Sequence, residues 1–418
     1  MKRVAQNLGS VVGGEAAVRA ANLVMVLFIA REYGKATLGM YGVTLAVVTV
    51  VVMFADSGLQ TAAIMRLSVA GANRSEIATR LVLCKTIVLA LVAIILAGVA
   101  IWTTRSPLSL AIGAWLTARA ILQSYSQLQM AILKSISKAN WIGGIQCAHS
   151  CLLFLGIGRC FVRGWSILVL LGWIACCQLF EFALATTVLA RNGISPSRPH
   201  RIEFVATMRT AAPYALLYGL ANAIIRADTI VLAAVVSLEE LGAFAAANSI
   251  LLMVYVTAWL FGSVLLPEMV PLSNNPETLR ACAQQWTRWV LFVSVPCALF
   301  VGVLAPRAVV VLYGPAFATS GMLASVMALA CPSILVNSIY TAVSVAANSR
   351  AIFLGIYGAG AVSTVILDLF LGRAFGACGI AWAIVVREAG MLFGFWLLIS
   401  RAPWLAGRLE FRTSSGGN

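Results

Sequence analysis

Residues 222–235, NAIIRADTIVLAAV, decide how the whole chain is read. Arg226 and Asp228 stand inside a run that is otherwise nearly all apolar, with no turn residue beside them. At the centre of a membrane helix each such charge costs about 2.5–3.5 kcal/mol on insertion scales. The surrounding composition says which solvent applies. Of 418 residues, 61% are hydrophobic and 10% charged, with a mean hydropathy of +0.96. Soluble domains average roughly 25% charged residues and break their apolar runs before about 18 residues. Here such runs recur from end to end, and no segment is long and polar enough for a soluble domain. The chain is predicted to be an all-α integral membrane protein.

At about 20 residues per span, twelve helices are expected, near 8–29, 38–56, 83–103, 107–131, 141–162, 165–189, 212–235, 241–265, 287–306, 319–345, 350–370 and 377–399. Pro332 is expected to kink the tenth rather than break it. Trp102, Trp141, Trp165, Trp286, Trp289 and Trp404 fall near span ends, where an interfacial belt would place them. An even number of spans puts both termini on one side. The connectors of that side carry seventeen Lys and Arg, from Lys2 and Arg3 through Arg198 and Arg201 to Arg412, against seven opposite. The positive-inside rule therefore makes both termini cytoplasmic. This bias accounts for most of the +15 net charge, and no aromatic-basic pattern points to nucleic acid. The basic, proline-bearing stretch 191–211 reads as a cytoplasmic linker between two six-helix bundles, 1–190 and 212–418, the latter with a short tail. Aligning GEAAVRAANLV with ANAIIRADTIV, Arg19 on Arg226, suggests parallel repeats about an axis along the membrane normal.

Several chemistries are excluded early. The ten cysteines lie mostly in or beside apolar runs without a CxxC pair, so they read as small core side chains. His149 and His200 are the two histidines, too few for a histidine-based metal site. GxxxxGK[ST], HExxH and a credible GxSxG are absent, so the chain reads as no enzyme, with no cofactor and no ATP hydrolysis of its own. Glu15 and Arg19 interrupt the first apolar stretch, which reads as a retained helix rather than a signal peptide. Gly9/Gly13, Gly372/Gly376 and Gly390/Gly394 have the small-xxx-small spacing that lets helices approach closely.

Eight charges lie deep in these spans: Arg19, Arg119, Arg226 and Arg387, with Glu15, Glu181, Asp228 and Glu388. Lys85 and Asp368 fall near helix ends and are expected to snorkel. Glu15, Arg19 and Asn22 share one helix face, and so do Asn222, Arg226 and Thr229, with Tyr218 extending the stripe. Arg119, Gln123 and Gln127 form a third. Asp228 lies ~200° around the helix from Arg226, so the two cannot share a face. Pairing within the bundle explains Glu15 with Arg19 and Asp228 with Arg387. It leaves out Arg119, which has no nearby acid; polar faces at mid-depth in three helices point instead to a water-filled cavity.

Four stretches together resemble the polysaccharide transporters, or O-antigen flippases, of the multidrug/oligosaccharidyl-lipid/polysaccharide superfamily: FIAREYGKATLGMYGVTLAVVTVVVMFADSGLQTAAIMRL, IIRADTIVLAAVVSLEELGAFAAANSILLMVY with LLPEMVPLS, VVVLYGPAFATSG, and FGACGIAWAIVVRE. The resemblance implies two pseudo-symmetric six-helix bundles around a central cavity that opens alternately to either side of a bacterial inner membrane. It implies a polyprenyl-pyrophosphate-linked oligosaccharide, an O-antigen or exopolysaccharide repeat unit, as substrate. Membrane lipids, a coupling ion (proton or sodium) and other polysaccharide assembly proteins are the further partners. Arg19, Arg119 and Arg226, with Asn22, Asn222, Gln123 and Gln127, are then the candidates to bind it, since guanidinium suits phosphate. Glu15, Glu181, Asp228, Arg387 and Glu388 are candidates for coupling or for structural ion pairs.

Two other functions compete. A multidrug-extrusion antiporter of the same superfamily would want cavity acids, for which Glu15, Glu181 and Asp228 are available. A glycan polymerase or acyltransferase needs a large external loop or a reactive His/Asp cluster, and the sequence has neither.

Overall fold

Two glycines separate helices that would otherwise run on. In the computed structural model Lys2–Leu67 is helical except at Gly34 (φ 78°, ψ 179°), and Arg350–Ser400 is helical except at Gly376 (φ 59°, ψ −140°). Positive φ carries a steric penalty for residues with a Cβ that glycine escapes. These breaks give α1 and α2 (2–33 and 35–67) and α11 and α12 (350–375 and 377–400). Between them run α3 (Arg74–Thr103), α4 (Pro107–Ser135), α5 (Asn140–Arg163), α6 (Ile167–Arg191), α7 (Phe204–Ala233), α8 (Leu238–Met269) and α9 (Pro276–Tyr313). The tenth span is two helices, α10a (Ala318–Ala328) and α10b (Cys331–Ala346). Described are residues 2–67, 74–103, 107–136, 138, 140–194, 204–347 and 349–400, among which there is no strand. His200, Trp404, the Tyr218 side chain and most of the basic linker lie outside them.

Twelve helical segments thus stand where twelve spans were expected, and the chain is a multi-pass membrane protein. Their lengths differ from the hydropathy reading. Helix α3 starts at Arg74 rather than 83, α9 runs from Pro276 to Tyr313 rather than 287–306, and α7 starts at Phe204, inside the 191–211 stretch. Hydropathy sees only the apolar middle, whereas backbone hydrogen bonding continues into polar turns. Pro332 does more than kink its span. The helix is interrupted before it and the two pieces meet at 45°. Leu329 and Ala330 donate to Val326 and Met327, three residues back, and proline has no N–H to resume the helical ladder.

The chain divides into two compact units, Met1–Arg226 and Ala227–Asn418, the division falling within α7. In the first unit the α1–α2 segment packs on α4 and α5, and α6 packs on both α4 and α5. Leu59, Leu81, Leu128, Leu133 and Ile145 belong to a core cluster there. In the second, α8 packs on both halves of α10, and α9 does the same; Met269, Val336, Ile339 and Phe395 are buried there. Outward faces are apolar instead of polar: on α9, Phe292, Phe300 and Val303 are all exposed. That is the inverse of a soluble surface and suits lipid as solvent.

Close helix approach uses only some of the glycines that the spacing suggested. A Cβ on Gly13 or Gly390 would meet nothing within 4 Å, and one on Gly394 only makes ordinary contact with Ile356. What surrounds Gly9 lies outside the description. Among the tight places are Gly143, where a Cβ would sit 2.2 Å from the Ser10 carbonyl oxygen, and Gly14, 2.5 Å from Gln146 Oε1. A small-xxx-small spacing recurs on every face of a glycine-rich helix and does not say which face meets a neighbour. In the second unit Glu240 Oε1 accepts a 2.8 Å hydrogen bond from the Ala377 N–H. A Cβ on Gly376 would lie 2.3 Å from that same oxygen.

Candidate functional site

In the first unit three arginines gather. Arg19 donates to Glu15 Oε1 from Nε at 2.9 Å and Nη2 at 2.7 Å, across the i,i+4 spacing expected of them. Glu15 Oε2 also accepts from Gln146 Nε2 at 3.1 Å, which ties α1 to α5. Arg119, on α4, has no acid among its hydrogen-bond partners: Nη2 donates to Asn22 Oδ1 at 3.1 Å and Nη1 to Tyr41 Oη at 3.4 Å. Its Nε is buried without a partner. Arg226, half-buried at the end of this unit, has Tyr41, Arg19 and Arg119 as its electrostatic neighbours. Three guanidiniums thus gather, and among the described residues the one carboxylate hydrogen-bonded to any of them is Glu15, already engaged by Arg19 and Gln146. Such a cluster is stable only with water or an anion to take up its charge.

The glutamines on the Arg119 stripe part company. Gln127 Oε1 accepts from Gln60 Nε2 at 2.9 Å, joining α4 to α2, whereas Gln123 is exposed. Asn22 serves Arg119 and also donates to the Val18 carbonyl at 2.9 Å. Asn222 is half-buried on α7. Tyr41 was missed by the sequence reading; a neutral phenol in an apolar run carries no signal of the charge it will face.

Glu181 is paired with a histidine rather than with an arginine. Its Oε2 lies 3.0 Å from His149 Nδ1 and accepts from Gln178 Nε2 at 2.9 Å, while His149 Nδ1 is also 3.2 Å from the Cys177 carbonyl. The pair is buried between α5 and α6. No group of three or more metal-binding side chains occurs among the described residues, and the ten cysteines are free thiols.

The second unit holds a different constellation. Arg387 Nη1 lies 2.5 Å from Asp228 Oδ1 and 3.2 Å from Thr364 Oγ1. Its Nη2 lies 3.1 Å from Tyr255 Oη and 3.4 Å from Glu388 Oε1. Glu388 further accepts from Tyr255 Oη at 2.8 Å and from Asn337 Nδ2 at 3.0 Å. Asp228, Arg387 and Glu388 are at most 4% exposed. Asp228 and Arg226 therefore do turn to different surroundings, and the Asp228–Arg387 pairing is present.

Lys85 and Asp368 do not snorkel: both are 0% exposed. Lys85 donates to the Ser124 carbonyl. Because α3 begins at Arg74, Lys85 is well inside the helix and cannot reach its end. Asp368 faces inward beside Asp228, from the same face of α11 as Thr364 four residues earlier. That i,i+4 spacing of Thr364 and Asp368 was the available signal.

Residues 28–321 match the family model described as "Polysaccharide biosynthesis protein". No curated protein sequence matches the chain. Among solved structures, the chain is similar to the lipid II flippase MurJ in an inward closed conformation, at 13% identity and a TM-score of 0.76, covering 93% of this chain and 87% of that one. It is also similar to an inward-facing multidrug resistance MATE family transporter of the MOP superfamily, at 15% identity and TM-score 0.69, covering 95% and 96%. The Vibrio cholerae MATE transporter VcmN in its bent form gives 13% identity and TM-score 0.67, with 97% of each chain covered. At these identities the likeness is one of fold, and the fold is that of the MOP-superfamily transporters.

Proposed function

The chain belongs to the polysaccharide biosynthesis protein family, and from that premise we propose that it is a flippase for polyprenyl-pyrophosphate-linked oligosaccharide. The repeat unit of an O-antigen or exopolysaccharide would pass from the cytoplasmic to the periplasmic leaflet of a bacterial inner membrane by alternating access of two six-helix bundles. Both termini then lie in the cytoplasm, as the distribution of basic residues favours. The observation that supports the reading is the grouping of Arg19, Arg119 and Arg226 around Asn22 and Tyr41, where among the described residues Glu15 is the one carboxylate hydrogen-bonded to any of them. A pyrophosphate supplies the missing negative charge, and guanidinium binds it through paired donors. A cationic drug would meet like charge in the same place, which weighs against the multidrug-antiporter reading. The test replaces each arginine by alanine in cells whose glycan display depends on this protein. Arg226→Ala and Arg119→Ala should leave membrane protein level unchanged on immunoblot and abolish or strongly reduce surface polysaccharide on gels. Normal display by both variants would overturn the reading.

A further inference from the structure

We propose that the outer face of α5, at the end that carries Arg163, binds an anionic phospholipid, with its phosphate on Arg159 and Arg163 and an acyl chain in the hollow beside them. Two rows of side chains at four-residue spacing form this face: Leu155, Arg159 and Arg163 in one, Phe154, Gly158 and Val162 in the other. All six residues are exposed. Residues at i and i+4 lie one above the other on a helix, so the first row passes from an apolar side chain to two cations at the helix end. In the second row Gly158 leaves a gap between Phe154 and Val162, since a Cβ there would meet nothing within 4 Å. The hollow measures about 880 Å³. The other face of the helix is taken: a Cβ on Gly156 would strike the Trp173 ring of α6, and Ile157 and Cys160 are buried.

Charge and composition select the occupant. Neither Arg159 nor Arg163 has a hydrogen bond or an ion pair among the described residues. The helix dipole favours a cation in the last turn, which accounts for Arg163, but its influence fades by Arg159. Like charges at i,i+4 repel, so the pair gains from an anion set between the two heads, and a guanidinium offers phosphate paired donors. Arginine stems lie along apolar surface while their heads reach the membrane interface, the level that Trp165 marks two residues further on. The described residues lining the hollow bring no carboxylate for the cation of a zwitterionic headgroup, and no amide or hydroxyl for a sugar. An anionic phospholipid therefore fits better than the oligosaccharide-bearing substrate. The platform is also fixed. Tyr33 Oη, at the end of α1, donates to the Trp165 carbonyl at 2.7 Å, and the Trp165 N–H donates to the Cys160 carbonyl at 3.3 Å.

The experiment reads thermal midpoints of the purified full-length protein in detergent, alone and with phosphatidylglycerol, phosphatidylcholine or inorganic phosphate added. A ligand that binds only the native state raises the midpoint. Phosphatidylglycerol should raise that of the wild type by several degrees more than phosphatidylcholine does, and phosphate alone should leave it unchanged. The double variant Arg159→Gln, Arg163→Gln should lose most of that difference. Gly158→Phe fills the hollow without removing a charge, has open space to occupy, and should lose it too. Arg307→Gln, at an exposed arginine of α9 outside the hollow, should keep it. Equal wild-type responses to the two lipids, a matching rise with inorganic phosphate, or a full phosphatidylglycerol response in the double variant would overturn the proposal. So would a loss in Arg307→Gln as large as that in the double variant. Should the double variant not accumulate, Gly158→Phe decides, an unchanged phosphatidylglycerol response overturning the site. Failure of the flippase reading shows elsewhere, in normal glycan display by the Arg119 and Arg226 variants.

Discussion

Arg387→Met removes the cation from the buried cluster of the second unit while keeping much of its volume. Two kinds of interaction disappear. The bonds to Thr364 and Tyr255 (3.2 and 3.1 Å) are hydrogen bonds to hydroxyls, worth about 0.6 kcal/mol each between membrane helices. Asp228, 1% exposed, loses its ion-pair partner, and stranding one member of such a pair typically costs about 3–5 kcal/mol. The carboxylate outweighs the hydroxyls, and uptake of a proton by Asp228 limits the total, so we expect a loss of about 3–5 kcal/mol. Asp228→Asn combined with Arg387→Met removes both charges of that pair and should recover part of the loss, because replacing a buried pair by neutral groups is often close to cost-free, while Glu388 still lacks the guanidinium that stood 3.4 Å from it. Membrane level by immunoblot and thermal midpoint in detergent give the readout for wild type, both single variants and the double, as a double-mutant cycle. A wild-type midpoint for Arg387→Met, or a double variant no better than that single one, would refute the reasoning.

Three further outcomes follow from the geometry. Arg119→Lys should restore part of the glycan export lost in Arg119→Ala, since the charge returns without the planar fork; surface polysaccharide gels read the difference. Gly143→Val should sharply lower the amount of protein in the membrane, because its side chain would run into the Ser10 carbonyl, while Gly13→Ala, with open space around it, should match wild type. Reporter fusions after residues 200 and 410 should report cytoplasm and a fusion at Glu239 periplasm; a periplasmic signal at 200 would overturn the span count.

What the sequence made legible follows a physical divide. Span number was readable because a helix must satisfy its own backbone in lipid, and apolar length is the signature of that constraint. The separate fates of Arg226 and Asp228 were readable from helix periodicity alone. Helix ends were less so: Lys85 was placed near a terminus because hydropathy fades before α3 does. Asp368 was set aside for the same reason, although its neighbours arrive from α7, far away in the chain, and from α12, the next helix along. Tyr41, Tyr255 and Asn337 gave no warning, since a neutral polar residue in an apolar run looks the same whether it serves an arginine or faces a neighbouring turn. The glycine contacts were legible only in part, at Gly376 but not at Gly13 or Gly390: spacing marks a smooth stripe, and only the opposing helix says whether anything leans on it.

The Glu240 carboxylate that meets the first N–H of α12 acts mechanically as well as chemically. It is a charged acceptor at a helix N-terminus, where the helix dipole favours negative charge, and a hydrogen bond to a charged group is worth about 1.5–3 kcal/mol. Glycine at 376 lets the carboxylate come flush against the turn. The start of α8 and the start of α12 are therefore riveted together, and a rearrangement of this unit that separates them must break the rivet first. The joint in α10, bent by 45° and short of one backbone donor at Pro332, has no such fastening among the described residues. Bending at the joint in α10 would leave the α8–α12 hydrogen bond intact, whereas parting those two helix starts would not.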